Sequence, residues 1–219
     1  MVDYARDQGI TTYGGLVANG VYGQRASTSF LRAVEDAKGQ VISLQPYDRS
    51  VASITAAAAR LGRSGPVGAV LIADDAAAAA GVVPLMRRGG EGGAKVLGTE
   101  RWNNDTTIGA RPALNGAWFA SVSNTLYRQY ATKYRARFGV GPYRLSSMGY
   151  DSVLLTIRIA RDWPIGRPFP ENRLRDSGGF AGIDGAFRFG NNGVAERALE
   201  VQEVRGGTTV TVSPAPSGF

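Results

Sequence analysis

The segment Val67–Ala73, read Val-Gly-Ala-Val-Leu-Ile-Ala, narrows the choice of fold more than any other stretch of the chain. Seven residues without a polar side chain leave a strand no face to give to water. Such runs occur in sheets covered by helices on both sides, and those sheets are mostly parallel. Asp74-Asp75 follows at once and opens an alanine-rich helix that runs through Arg88. A strand ending at a helix N-terminus is the repeating unit of α/β proteins.

The surrounding segments keep the same rhythm. A short helix over Val2–Gln8 closes at Gly9, and Ile10–Ala18 reads as a strand broken by Asn19-Gly20. Arg25–Lys38 has Phe30, Ala33, Val34 and Ala37 at helical spacing and stops at Gly39. Gln40–Leu44 is the next strand. Val51–Leu61 is a helix with Ser50 as its N-cap. The glycines from Gly89 to Gly93 turn the chain into a strand at Lys95–Gly98, and Gly116–Ser121 supplies another. Helices are expected at Asn124–Phe138 and Ser146–Asp162, with a linker at Pro164–Pro170. The tail holds Gly185–Phe189, Arg197–Val204 and Thr208–Val212, expected to form one antiparallel set with Gly206-Gly207 as a hairpin turn. The fold class is therefore α/β: a doubly wound, mainly parallel sheet with helices on both faces, plus a C-terminal antiparallel hairpin. A boundary near residue 142 separates the α/β part, 1–142, from a helix and β segment, 143–219.

Composition removes much of the common chemistry. The chain has no His and no Cys. That excludes Cys nucleophiles, Ser-His-Asp triads, His or Cys zinc sites and disulfides, and no cofactor is expected. No Walker A sequence or Gly-x-Ser-x-Gly elbow is present. Gly89, Gly90, Gly92 and Gly93 precede a strand instead of following one, which is the wrong context for a dinucleotide loop. The formal charge of +7 comes from 25 basic residues, of which only Lys38, Lys95 and Lys133 are lysine. The arginines are spread along the chain without a block, so nucleic acid is not an expected partner.

In open α/β sheets, ligands bind beyond the carboxyl ends of the parallel strands. Those ends supply Tyr22, Asp74, Glu100 and Trp102 as candidate ligand-binding residues. Tyr22 offers a ring and a hydroxyl, or else staples the helix behind it. Asp74 and Asp75 offer carboxylates, or else cap the following helix. Glu100 suits an ammonium group, or is a solvated loop residue. Trp102 suits stacking, or packs at a domain edge.

Several stretches read in order resemble the second lobe of the type I periplasmic solute-binding proteins of the Leu/Ile/Val-binding type. They are VANGVYGQRASTSFLRAVEDAKGQVISLQPYD, GAVLIADD, AKVLGTERWNN, LNGAWFAS, YRQYATKYRARFGVGPYRLSSMGYDSVLL and GIDGAFRFGNNGVAERALEVQEV. The ending FRFGNNGVAERALEVQEVRGG resembles the penicillin-binding-protein activators, envelope lipoproteins of that fold. The resemblance implies a non-enzymatic binding protein for an amino acid or similar small polar solute, with Tyr22, Asp74 and Glu100 facing the ligand and Trp102 walling the cleft. It implies a periplasmic or envelope-anchored location and a membrane transporter as partner; by the subgroup, the partner is instead a peptidoglycan synthase. It further implies that the secretion signal and a first lobe lie outside this sequence. The stripe of Tyr150, Val153, Leu154 and Ile157 on the hinge-crossing helix would then lack its neighbour, and a homodimer is expected to cover it.

Overall fold

The computed structural model describes all residues, Met1–Phe219, in two compact units. The first comprises Met1–Ser121 with Val201–Ser213; the second comprises Val122–Glu200 with Pro214–Phe219. In place of one boundary near residue 142, the chain crosses between the units three times, at 121/122, 200/201 and 213/214, because residues 201–213 return to the first unit as strands.

The first unit begins with helix α1 (Val2–Asp7), followed by β1 (Thr12–Ala18), α2 (Val21–Asp36), β2 (Gln40–Tyr47) and α3 (Val51–Arg63). It continues with β3 (Ala69–Ala73), α4 (Ala76–Arg88), β4 (Lys95–Gly98), three 3-10 turns and β5 (Trp118–Ser121). In the second unit lie α5 (Thr125–Phe138), α6 (Ser146–Ala160), β6 (Phe180–Gly182), β7 (Gly185–Phe189) and β8 (Ala195–Arg197). The hairpin β9 (Glu200–Arg205) and β10 (Thr208–Ser213) closes the main sheet.

That sheet has the strand order β10-β9-β5-β4-β3-β1-β2. The pairs β1–β2, β1–β3, β3–β4 and β4–β5 are parallel, and β9–β10 is antiparallel. All five residues of β3 are buried, as its composition requires. Val70 and Ile72 enter a core with Ile54, Leu61, Val82 and Met86 of α3 and α4. Ala69, Leu71 and Ala73 enter a second core with Val2, Phe30 and Val34 of α1 and α2. Helices therefore cover both faces of the sheet.

Local sequence explains several element ends. Ser50 and Asp75 cap α3 and α4, accepting from Ser53 N and Ala78 N. Gly139 closes α5 with φ 75°. Gly206 and Gly207 have φ 57° and 87°, the left-handed pair of a two-residue hairpin turn. Two elements extend past an expected end by three residues or more. Helix α2 starts at Val21, four residues before Arg25, and β2 extends through Pro46 to Tyr47. Pro46 is tolerated because β2 is the outer strand and its missing N–H leaves no ladder bond unmade.

The tail does not form one antiparallel set. Strand β7 pairs with β6 and β8 in a separate three-stranded sheet, while β9 and β10 join the main sheet beside β5. In the second unit a polar cluster ties α6 to the β6–β7 turn: Asp151 Oδ1 accepts from Ile183 N at 2.7 Å, and the Ser147 hydroxyl donates to Asp184 at 2.6 Å. No helix is long and apolar enough to cross a membrane.

Candidate functional site

Every parallel strand of the first unit delivers its carboxyl end to one edge. Successive strands run outward from β1 in opposite directions, to β2 on one side and β3 on the other, so the crevice of an open α/β sheet lies between β1 and β3. The loops there are Asn19-Gly20 and Asp74-Asp75. Thr99 to Trp102 follows from β4, the next strand beyond β3.

Tyr22 stands in the first turn of α2, half-buried. Its hydroxyl reaches past the β3 end and donates to Thr99 Oγ1 at 2.6 Å. Burial raises the Tyr22 pKa above its ordinary value, while the bond to Thr99 and the Arg101 charge pull it down. Arg101 lies over the ring, its guanidinium carbon 4.5 Å from the ring centre. Gly23 is required beside it: a side chain there would collide with the Ala18 carbonyl, because α2 begins hard against the end of β1. Glu100 is exposed, close enough to Tyr22 for its charge to be felt at the hydroxyl. A shallow cavity of about 200 Å³ opens beside the β1 end, lined by Asn19, Gly20, Gln24, Ser27 and Pro46.

Asp74 does not present itself to this surface. It is buried, and both of its oxygens are taken. Oδ1 accepts from Arg49 Nη2 at 2.5 Å and from Asp75 N at 2.9 Å; Oδ2 accepts from Arg49 Nε and the Tyr47 hydroxyl, each at 3.1 Å. Burial pushes the Asp74 carboxyl up, but Arg49, the Asp75 N–H and Tyr47 outweigh it and hold the pKa below 3.8. Burial and the adjacent Asp74 charge push the Tyr47 hydroxyl far up, so it stays protonated and remains a donor.

Trp102 is fully buried and cannot wall a cleft in this arrangement. Its Nε1–H donates to the Asp74 carbonyl at 3.0 Å, and its ring lies on Gly98, where a side chain would collide with it. It packs near Phe119, with ring centres 6.1 Å apart. The edge therefore exposes Glu100 and holds Tyr22 half-buried between Thr99 and Arg101, with Asp74 and Trp102 buried in the loops. Arg49, its side chain 61% exposed, joins them. Nothing in the local sequence singles out Arg49; its role depends on β2 reaching Tyr47, three residues beyond the expected strand end.

A doubly wound lobe whose loops gather at the switch point of its sheet is an architecture in which ligands bind beyond the carboxyl ends of the strands. The chain belongs to the periplasmic binding protein family, whose model matches residues 1–208. Its fold is that of the type I, Leu/Ile/Val-binding-type members. It is similar to a leucine-binding protein from Thermotoga maritima MSB8, with 18% identity over 97% of this chain and 62% of that one, at a TM-score of 0.66. It is also similar to a branched-chain amino acid ABC transporter periplasmic ligand-binding protein from Burkholderia xenovorans LB400, with 16% identity over 97% and 60% and a TM-score of 0.72. A third similar structure is an ABC transporter solute-binding protein from R. palustris in complex with benzoate, with 16% identity over 99% and 62% and a TM-score of 0.65. The chain spans about three fifths of the length of these structures. No curated protein matches it by sequence.

Proposed function

We propose that this chain binds a small polar solute, an amino acid or a close analogue, at the carboxyl edge of its parallel sheet, and that it catalyses no reaction. The observation that carries the reading is the exposed Glu100 in the loop after β4, whose Thr99 accepts from the Tyr22 hydroxyl, on loops braced by buried Asp74 and Trp102. Glu100 accepts an ammonium, Tyr22 walls the site, and Asp74 and Trp102 act as positioning residues. Family membership supports a periplasmic location and a membrane transporter as partner. Regulation of a peptidoglycan synthase, the other function implied by resemblance, rests on the ending FRFGNNGVAERALEVQEVRGG alone.

A ¹⁵N-labelled chain titrated with amino acids to millimolar concentration tests the reading. Amide shifts are expected at residues 19–23 and 99–102. Glu100→Gln is expected to weaken binding by ten- to a hundredfold, because a charge-assisted hydrogen bond contributes about 1.5–3 kcal/mol. Equal affinities would remove Glu100 from the site.

A further inference from the structure

We infer that Arg101 is a specificity-determining residue, and that the solute carries an anionic arm, as an acidic amino acid does. The inference rests on the solute site proposed above and concerns which solutes that site accepts. Tyr47 and Trp102, the other rings at this edge, are buried, which leaves Tyr22 as the aromatic surface there. A branched aliphatic or aromatic arm would pack on that ring. Instead the ring is covered by the Arg101 guanidinium, 4.5 Å from its centre.

The charge on Arg101 is not spent inside the chain. The nearby guanidinium of Arg49 uses Nε and Nη2 on Asp74. Arg101 makes no hydrogen bond and no ion pair; its contact is the Tyr22 ring. Its neighbour Glu100 is likewise without a hydrogen-bond or ion-pair partner, and the two do not pair with each other. A half-buried guanidinium with its fork of donors unspent matches a carboxylate through paired N–H groups. Adjacent, unpaired charges of opposite sign thus fit an ammonium on Glu100 and a carboxylate arm on Arg101, with the Tyr22 ring holding the guanidinium in place.

The test compares L-glutamate, L-glutamine and L-leucine by amide-shift titration of the same labelled chain, then repeats it with Arg101→Met, which keeps the stem and removes the charge. Glutamate is expected to bind at least about tenfold more tightly than glutamine or leucine, and Arg101→Met to erase that preference. Glutamine or leucine binding as well as glutamate overturns the inference and leaves the solute site standing. So does a glutamate preference that survives Arg101→Met. If none of the three shifts any amide of 19–23 or 99–102, the solute site itself falls, and the inference with it. The wild-type comparison stands alone if the variant does not fold.

Discussion

At the scale of single residues, the Arg49–Asp74 pair makes the sharpest demand on the structure. The Asp74 side chain is 1% exposed, whereas that of Arg49 is mostly in water, so the two partners do not count equally. Removing the exposed partner leaves a buried carboxylate with Tyr47 and one N–H as its donors. Arg49→Met is therefore expected to cost about 1–3 kcal/mol in urea unfolding at pH 7. Asp74 has a folded pKa below 3.8, so its contribution is present above that value and is lost as the pH falls through the lowered folded pKa. In Arg49→Met the loss of the guanidinium lets burial raise the carboxyl. The gap between the two proteins is then expected to narrow on acidification, as protonation removes the unpaired charge. A gap that is constant from pH 7 to pH 3.5 would show that Arg49 contributes packing alone. Of the four candidate residues named from sequence, Glu100 was readable as an exposed loop residue and Tyr22 as a position after a strand end, but not the Thr99 bond and the Arg101 contact that hold Tyr22. Asp74 and Trp102 were readable as positions but not as roles, because their partners come from 25 and 28 residues away. Arg49 was silent: an arginine in a loop carries no local mark of the carboxylate it will meet.

At the scale of elements, apolar spacing, caps and composition together located all six α-helices, and the apolar run of β3 pointed to a sheet covered on both faces. What it missed were strands too short for a period. Strands β6 and β8 have three residues each, which is less than two repeats of an alternating pattern. Helix α6 shows the other limit, because its apolar positions are not all used by the second unit. Ile159 is buried, while Met148, Val153 and Ile157 are each more than half exposed, with Tyr150 and Leu154 beside them. Burying one such side chain contributes about 1.5–3 kcal/mol, so a continuous stripe of them favours association. Sedimentation across a concentration series is expected to show self-association of this chain. The double variant Val153→Glu, Ile157→Glu is expected to abolish it without unfolding α6, since neither residue is in the core. A strict monomer at all concentrations would refute a role for this stripe in pairing copies.

At the scale of the whole molecule, the chain leaves the first unit after Ser121 and comes back at Val201. The hairpin then lays β9 along β5 and buries Val201 and Val204 in the two cores. A chain ending at residue 200 is expected to leave β5 as an open edge, and to be less stable and more prone to aggregate than the full chain, measured by thermal unfolding and light scattering. Equal stability of the two would mean that the hairpin is an ornament on a finished sheet. The same return path bears on biosynthesis. Residues 122–200 separate the two halves of the first unit, so 79 residues must be made after β5 before its neighbour exists. At about 5–20 residues per second, the nascent sheet waits for roughly 4–16 s with one flank unpaired, a window in which a holdase chaperone has something to hold.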